Sequence, residues 1–448
     1  MREAERGTPT PSPDQGQRFA ALSGASRPAR RPRVELAWLL LVAVLSGGLF
    51  LARYDDPRRI AASGDAYWYL RQAQIFAGTD PAAASTRASE LVCRDIDRAA
   101  RRKGSPRYCR DGYPQRGVSP RYIAIFDSRP GYPLFAAPFV KLLGAWRGMM
   151  LATMLLGVLV GILAYLAVLL AFGRRSAGVG AAVLIYLLPS GFWITRMLAE
   201  GAMLVGCLGV ILGVTLLWRG HWRAGPVLTV TALTWLFLAK SANGVALALV
   251  LVVVAATALV IRPRNRRVAL VTGGVGLLAL AGWYAISHLF ALPSLNETIQ
   301  DFATKHFTRP DTADPIGFLV QRNLTFWPAY GRNLISSPLP LVAVGLSALV
   351  FVARARPVVV LWTAAGLSGL ALVVAHPVAT EYDRLMLPMW LPVAAALGYA
   401  VAVALSAPWT PWGAVLRRSP RESPVPAARE TATDGVRRDV AEPASRAG

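Results

Sequence analysis

Histidine, cysteine and lysine are scarce: four, three and four among 448 residues. No Cys/His spacing of the zinc-binding kind occurs. No Walker motif is present, and no GxGxxG sits in a βαβ setting, so any activated substrate is expected to be lipid-linked rather than a cytosolic nucleotide. Acidic residues are also few, 25 against 48 Lys and Arg, giving a formal net charge of +23. That balance could signal nucleic acid. Here the cations, almost all Arg, sit in the tails and in short connections between apolar runs. This is the pattern of the positive-inside rule and of attraction to anionic lipid, so no nucleic-acid partner is expected. Cys93 and Cys109 share one long loop, where a disulfide is permitted if the loop faces an oxidising compartment. Two unpaired thiols are an equal reading. Cys207 lies in an apolar run.

What the chain has in quantity is long apolar runs. It is 54% hydrophobic, and a helix needs roughly 20 apolar residues to cross a bilayer. The expected class is an all-α polytopic membrane protein of about ten transmembrane helices. The expected spans are Glu35–Ala52, Gly148–Phe172, Ala177–Thr195, Leu198–Trp218, Pro226–Ala239, Ser241–Ile261, Val268–Phe290, Pro338–Ala353, Pro357–Ala375 and Leu385–Ser406. Pro226 to Ile261 is too long for one span, since a straight helix of that length reaches roughly 54 Å. A turn at Lys240-Ser241-Ala242-Asn243-Gly244 is the expected solution. With the N-terminus inside, every short inside connection carries at least two arginines, and both ends are cytoplasmic. Residues 1–34 and 407–448 read as disordered tails. The body is 35–406, with extracytoplasmic loops at 53–146 and 291–337. The first loop carries amphipathic helices at the membrane interface, among them Gly131–Trp146.

Five clusters in this frame could carry chemistry. Asp55, Asp56 and Asp65 follow the first span. Asp65 opens an amphipathic helix in Gly64-Asp65-Ala66-Tyr67-Trp68-Tyr69-Leu70-Arg71. Aspartate there has an ordinary role as an N-cap, and a cap can also be a base. Arg129, in a Pro- and Gly-rich turn, would sit at headgroup level, as an anchor or on a phosphate. Arg196 and Glu200 are four apart and, on one helix, would form a pair. Lys240 interrupts two apolar runs, as a turn residue or a phosphate ligand. Glu381-Tyr382-Asp383-Arg384 precedes the last span and reads as a surface ion pair or as part of a site.

These segments, in this order, resemble the GT-C superfamily of integral-membrane glycosyltransferases. That group includes protein O-mannosyltransferases, the aminoarabinose transferases of lipid A, and actinobacterial mannosyl- and arabinosyltransferases. The resemblance lies in Gly64-Asp65-Ala66-Tyr67-Trp68-Tyr69 followed by Ala77-Gly78-Thr79-Asp80-Pro81, in Gly131-Tyr132-Pro133-Leu134-Phe135, in Glu200 near a helix end, in Phe237-Leu238-Ala239-Lys240, and in Arg384 before a late span. It covers roughly residues 35–406. Many members carry Asp-Glu at the first site. Here Ala66 follows Asp65, which leaves open whether Asp55 or Asp56 supplies a second carboxylate and weakens a metal-dependent reading.

The resemblance implies a polyprenyl-phosphate-linked sugar donor and a hydroxyl acceptor on an extracytoplasmic glycan, lipid or protein. Transfer would invert the anomeric centre. Asp65 would be the general base, with Asp56 and Glu200 as further catalytic carboxylates. Lys240, Arg129 and Arg384 would hold the donor phosphate. No cofactor and no metal are expected. The competing reading is a lipid or small-solute transporter or flippase of the cell envelope, using Glu200 and Lys240 as a gate.

Overall fold

The computed structural model describes residues 32–54, 61–62, 64–102, 109, 118–261, 265–353 and 357–406. The expected tails fall outside the described residues, except that the first helix already begins at Pro32. Among the described residues every regular element is helical. In chain order these are α1 (Pro32–Tyr54), α2 (Ala66–Phe76), α3 (Pro81–Arg102), α4 (Pro120–Asp127), α5 (Gly131–Leu143), α6 (Ala145–Phe172), α7 (Arg175–Leu187), α8 (Ser190–Ile194), α9 (Glu200–Trp218), α10 (Ala224–Ile261), α11 (Arg266–Leu289), α12 (Leu295–Ala303), α13 (Pro315–Ser336), α14 (Leu339–Val352), α15 (Pro357–Ala375), α16 (Tyr382–Leu385) and, after a 3₁₀ turn, α17 (Trp390–Ser406).

Seven helices are long and apolar enough to cross a membrane, and α13 with α14, bent by 88°, could make an eighth broken span. The outer faces of these helices are apolar: Val44 is 71% exposed, Leu278 75% and Leu405 82%. Such rows suit lipid, not water. The chain is therefore an all-helical, multi-pass membrane protein. The helix α9 lies at the centre of the bundle, with 83% of its apolar window buried against 17% for α1. Its glycines allow this. A Cβ on Gly213 would lie 2.7 Å from Thr229 N and 2.9 Å from Gly225 O, so only glycine lets α9 approach α10 so closely.

Among the described residues, seven span-length helices, or eight with the bent pair, stand where about ten spans were expected, and the expected spans differ most from the observed helices in two places. Ala177–Thr195 is not one helix. It is the 13-residue α7 and the 5-residue α8, separated where Leu188 is extended (φ −70°, ψ 170°) before Pro189. Proline disfavours a helical residue before it and withholds an N–H from the ladder. Likewise α14 does not stand alone but leaves α13 at a sharp bend beside Pro338. The expected break at Lys240 is present. The 38-residue α10 is non-helical there, with φ −161° and ψ 85°. Its two arms double back, because Trp218, just before α10, lines one apolar cavity together with Val254 and Ile261 near its far end.

The first loop is a helical layer on the bundle. Cys93 and Cys109 form a disulfide, with Cα atoms 5.3 Å apart, which ties the middle of α3 to the chain beyond its C-terminus. Ser119 caps α4 by accepting from Arg121 N, with Pro120 at the first helical position. Arg121 then joins the first loop to the second. Its guanidinium forks onto both oxygens of Glu297 (3.0 and 3.0 Å) and both of Asp311 (2.9 and 3.0 Å), and it stacks on Phe307 at 4.3 Å. Bidentate arginine pairs carry geometric specificity that single ion pairs lack. Arg121→Ala is accordingly expected to speed amide deuterium exchange across residues 295–311 while leaving α9 and α10 protected. Unchanged exchange there would show that the fork does not hold the loop.

Candidate functional site

The segment leading into Asp65 is fixed from two sides. Asp95 of α3 accepts hydrogen bonds from Ala61 N (2.7 Å) and Ala62 N (2.9 Å), while Ala61 O accepts from Met197 N (3.0 Å). The buried α2 follows, with Tyr69 fully enclosed. Gln72 donates to Asp127 Oδ1 at 2.6 Å, tying α2 to the end of α4 just before Arg129. Then α5 begins at Gly131, which lies directly on the break in α10. A Cβ there would stand 2.9 Å from Leu238 C and 3.0 Å from Ala239 N. A side chain would push against backbone, so glycine is what lets Arg129 and Lys240 approach the same space.

Asp65 occupies the N-cap position of α2, but its side chain makes no capping hydrogen bond. Its Oδ2 instead lies 2.6 Å from Arg384 Nη1. Arg384 Nε donates to Glu200 Oε1, and Lys240 Nζ donates to the same oxygen at 3.0 Å. Glu381 stands at the rim of this group, 3.8 Å from Arg384 Nη1. Glu200 is fully buried, Lys240 is 7% exposed and Arg384 8%. An isolated charge at such depth is costly. Four charges that compensate in one chain, Asp65–Arg384–Glu200–Lys240, are tolerated because each has an opposite neighbour. Arg384 is therefore no surface ion pair. Glu200 does not share a helix with Arg196, since residues 195–199 are non-helical; Arg196 lies over the rings of Phe192 (4.2 Å) and Trp193 (5.1 Å).

Above this chain of charges opens a cavity of about 2100 Å³. Asp65, Arg129, Lys240 and Arg384 all line it, and Glu200 lies beneath it. Arg129 Nε is buried and has no hydrogen-bond partner among the described residues. Asp56 and Asp55 lie outside the described residues. Sequence reasoning missed the far wall, made by the second loop: Asp301, Lys305, His306, Arg309 and Arg322. No motif marks them; only their place in a polar loop between spans could have drawn notice.

Tyr69, His376 and Glu381 are among the groups near the cavity that are shifted from their ordinary ionisation. Burial pushes the Tyr69 hydroxyl up to about 12. Burial likewise lowers His376 to about 4, so it faces the cavity as a neutral imidazole. Burial raises Glu381 above the usual carboxylate range, against the opposing pull of Arg384. Among the described residues, no three or more His, Cys, Asp or Glu side chains gather in a way that could hold a metal ion.

No protein-family model matches the chain, and no curated protein matches its sequence. The functional reading therefore rests on the residues and their geometry.

Proposed function

We propose that this protein is a glycosyltransferase of the GT-C type. It moves a sugar from a polyprenyl-phosphate donor to a hydroxyl of an extracytoplasmic glycan, lipid or protein, with inversion. One observation carries the reading: Asp65 leaves its helix uncapped and turns its carboxylate into a large cavity beside buried cations, at the end of a membrane bundle. A cap alone would have satisfied the helix. A carboxylate held in a cavity is placed to accept a proton.

In this reading Asp65 takes the proton of the acceptor hydroxyl as its oxygen bonds to the anomeric carbon. The bond from that carbon to the donor phosphate oxygen breaks, and polyprenyl phosphate leaves. Lys240, with two N–H bonds beyond the one given to Glu200, and Arg129, with its unpartnered Nε, stabilise the charge growing on that phosphate. Arg384 is engaged by Glu200 and Asp65, so its role shifts from phosphate ligand toward aiming the base. Glu200, sealed beneath the cavity, positions Arg384 and Lys240 rather than meeting substrate. On this reading the two arms of α10 are taken as separate spans and the cavity as opening on the outer face. The polyprenyl tail stays among the lipids, which accounts for a site at the end of the bundle.

The test is direct. The full chain in lipid nanodiscs, given synthetic polyprenyl-phosphate sugars and cell-envelope glycan as acceptor, is expected to release polyprenyl phosphate from one of them. Failure to release it from any hexosyl or pentosyl donor would remove the proposal.

A further inference from the structure

The cavity is lined by six Lys or Arg side chains, Arg129, Lys240, Lys305, Arg309, Arg322 and Arg384, against three carboxylates, Asp65, Asp301 and Glu381. Most of the negative charge is already committed. Asp65 and Glu381 both face Arg384, and Asp301 Oδ1 lies 3.0 Å from His306 Nδ1. That bond raises the His306 pKa, which favours compensation of Asp301 within the pair. Glu200 answers Lys240 and Arg384 from below. Lys305, Arg309 and Arg322 are left with no carboxylate partner among the described residues. Arg322 is held instead over the rings of Phe302 (5.2 Å) and Phe318 (5.6 Å).

The first cation of this set, Lys305, stands in a turn of defined backbone. Lys305, His306 and Phe307 are three consecutive residues in the left-handed region, with φ of 53°, 63° and 58°. Residues with a Cβ rarely adopt this conformation. The surroundings hold this turn. Phe307 N donates to Thr304 Oγ1 at 2.9 Å, Phe307 lies under Arg121, and the His306 ring meets Tyr122 at 4.5 Å. The turn thereby sends Lys305 and His306 to the cavity and Phe307 to Arg121.

A lipid phosphate on Lys240 and Arg129 leaves these second-loop cations unused. We infer that the second-loop wall binds an anionic acceptor glycan, one carrying uronate, sulfate or phosphodiester groups. The inference rests on the glycosyltransferase reading for the word acceptor, but the anion site stands on its own geometry. Anionic lipid headgroups are the rival occupant. The glycan is favoured because these side chains line the same cavity as Asp65, where an acceptor hydroxyl must arrive.

The experiment uses the full chain in nanodiscs of zwitterionic lipid. Binding of oligogalacturonate is compared with that of neutral maltooligosaccharides of equal length. Oligogalacturonate is expected to bind on the order of tenfold more tightly at low salt, and the advantage to shrink as salt screens it. Lys305→Gln/Arg309→Gln, both exposed positions, is expected to abolish the preference while leaving binding of polyprenyl phosphate unchanged. Equal binding of charged and neutral oligosaccharides would overturn the inference. So would equal loss of polyprenyl phosphate binding in the double variant, which would assign the wall to the donor. Loss of oligogalacturonate binding in nanodiscs containing phosphatidylglycerol, with that lipid retained by the unaltered protein and released by the double variant, would assign the wall to headgroups and overturn it as well. Failure of the donor reading looks different: oligogalacturonate binds as described, but no polyprenyl phosphate binds at Lys240 and Arg129.

Discussion

Replacing Arg384 with methionine is expected to destabilise the whole bundle. The substitution keeps the length of the side chain and removes the one cation shared by Asp65 and Glu200. Glu200 has no access to solvent, so water cannot take over. Removing one partner of a buried pair costs about 3–5 kcal/mol, because the charge left behind loses its compensation; here Lys240 alone would remain for Glu200, and Asp65 would lose its arginine. Total stability of a domain is typically about 5–15 kcal/mol, so a large share would be lost. The expected readout is a marked fall in thermal unfolding temperature in detergent and in the amount recovered from membranes. Arg384→Lys should recover only part, since an ammonium does not reach two carboxylates as a planar fork does. Adding Glu200→Gln to Arg384→Met should also recover part, and that coupling separates the pair from general packing. If Arg384→Met melts together with the unaltered protein, the buried charges are not what unites α9, α10 and the segment around α16.

Asp65→Asn is expected to have the largest effect on activity with little effect on folding. The amide keeps the shape of the side chain and an oxygen for Arg384, at a position 21% exposed. It cannot accept the hydroxyl proton. A general base contributes typically about 10²- to 10⁴-fold, so sugar transfer should fall by that much while polyprenyl phosphate still binds. A lipid flippase built on Glu200 and Lys240 would instead keep moving lipid in this variant. Transfer at the full rate by Asp65→Asn would move the base elsewhere. Glu381 is then the next carboxylate on the same cavity.

The sequence was informative about composition and order, and much less so about direction. Apolar runs revealed most of the spans, and the isolated Lys240 marked a genuine break because an extended, charged residue interrupts two helical patterns. Runs alone did not reveal that Leu188-Pro189 divides one of them, since hydropathy is blind to the backbone demand of proline. Asp65, Glu200, Lys240 and Arg384 were each conspicuous as charges near helix ends. That they meet in one chain was not legible, because the contacts join residues far apart in sequence, Glu200 and Arg384 by 184 positions and Asp65 and Arg384 by 319. Spacing suggested that Glu200 would turn to Arg196, four residues away. The turn before α9 breaks that helical register, and Glu200 pairs across the bundle instead. Asp95, which holds the backbone before Asp65, looked like any acidic residue on an amphipathic helix. The second-loop cations were invisible for a similar reason: Lys305 reaches the cavity from a left-handed turn that sequence periodicity does not encode, and Arg309 and Arg322 join it only in the folded loop.

The distance along the chain between Glu200 and Arg384 has a consequence for how the protein is made. A ribosome adds about 5–20 residues per second, so the 184 residues between them take on the order of ten to forty seconds to synthesise. Through that interval Glu200 has entered the translocation machinery with Lys240 as its nearest counter-ion, and Asp65 waits for its own. Nascent chains stalled before residue 384 should therefore be preferred targets of membrane proteolysis, and arrival of the final helix should end their vulnerability.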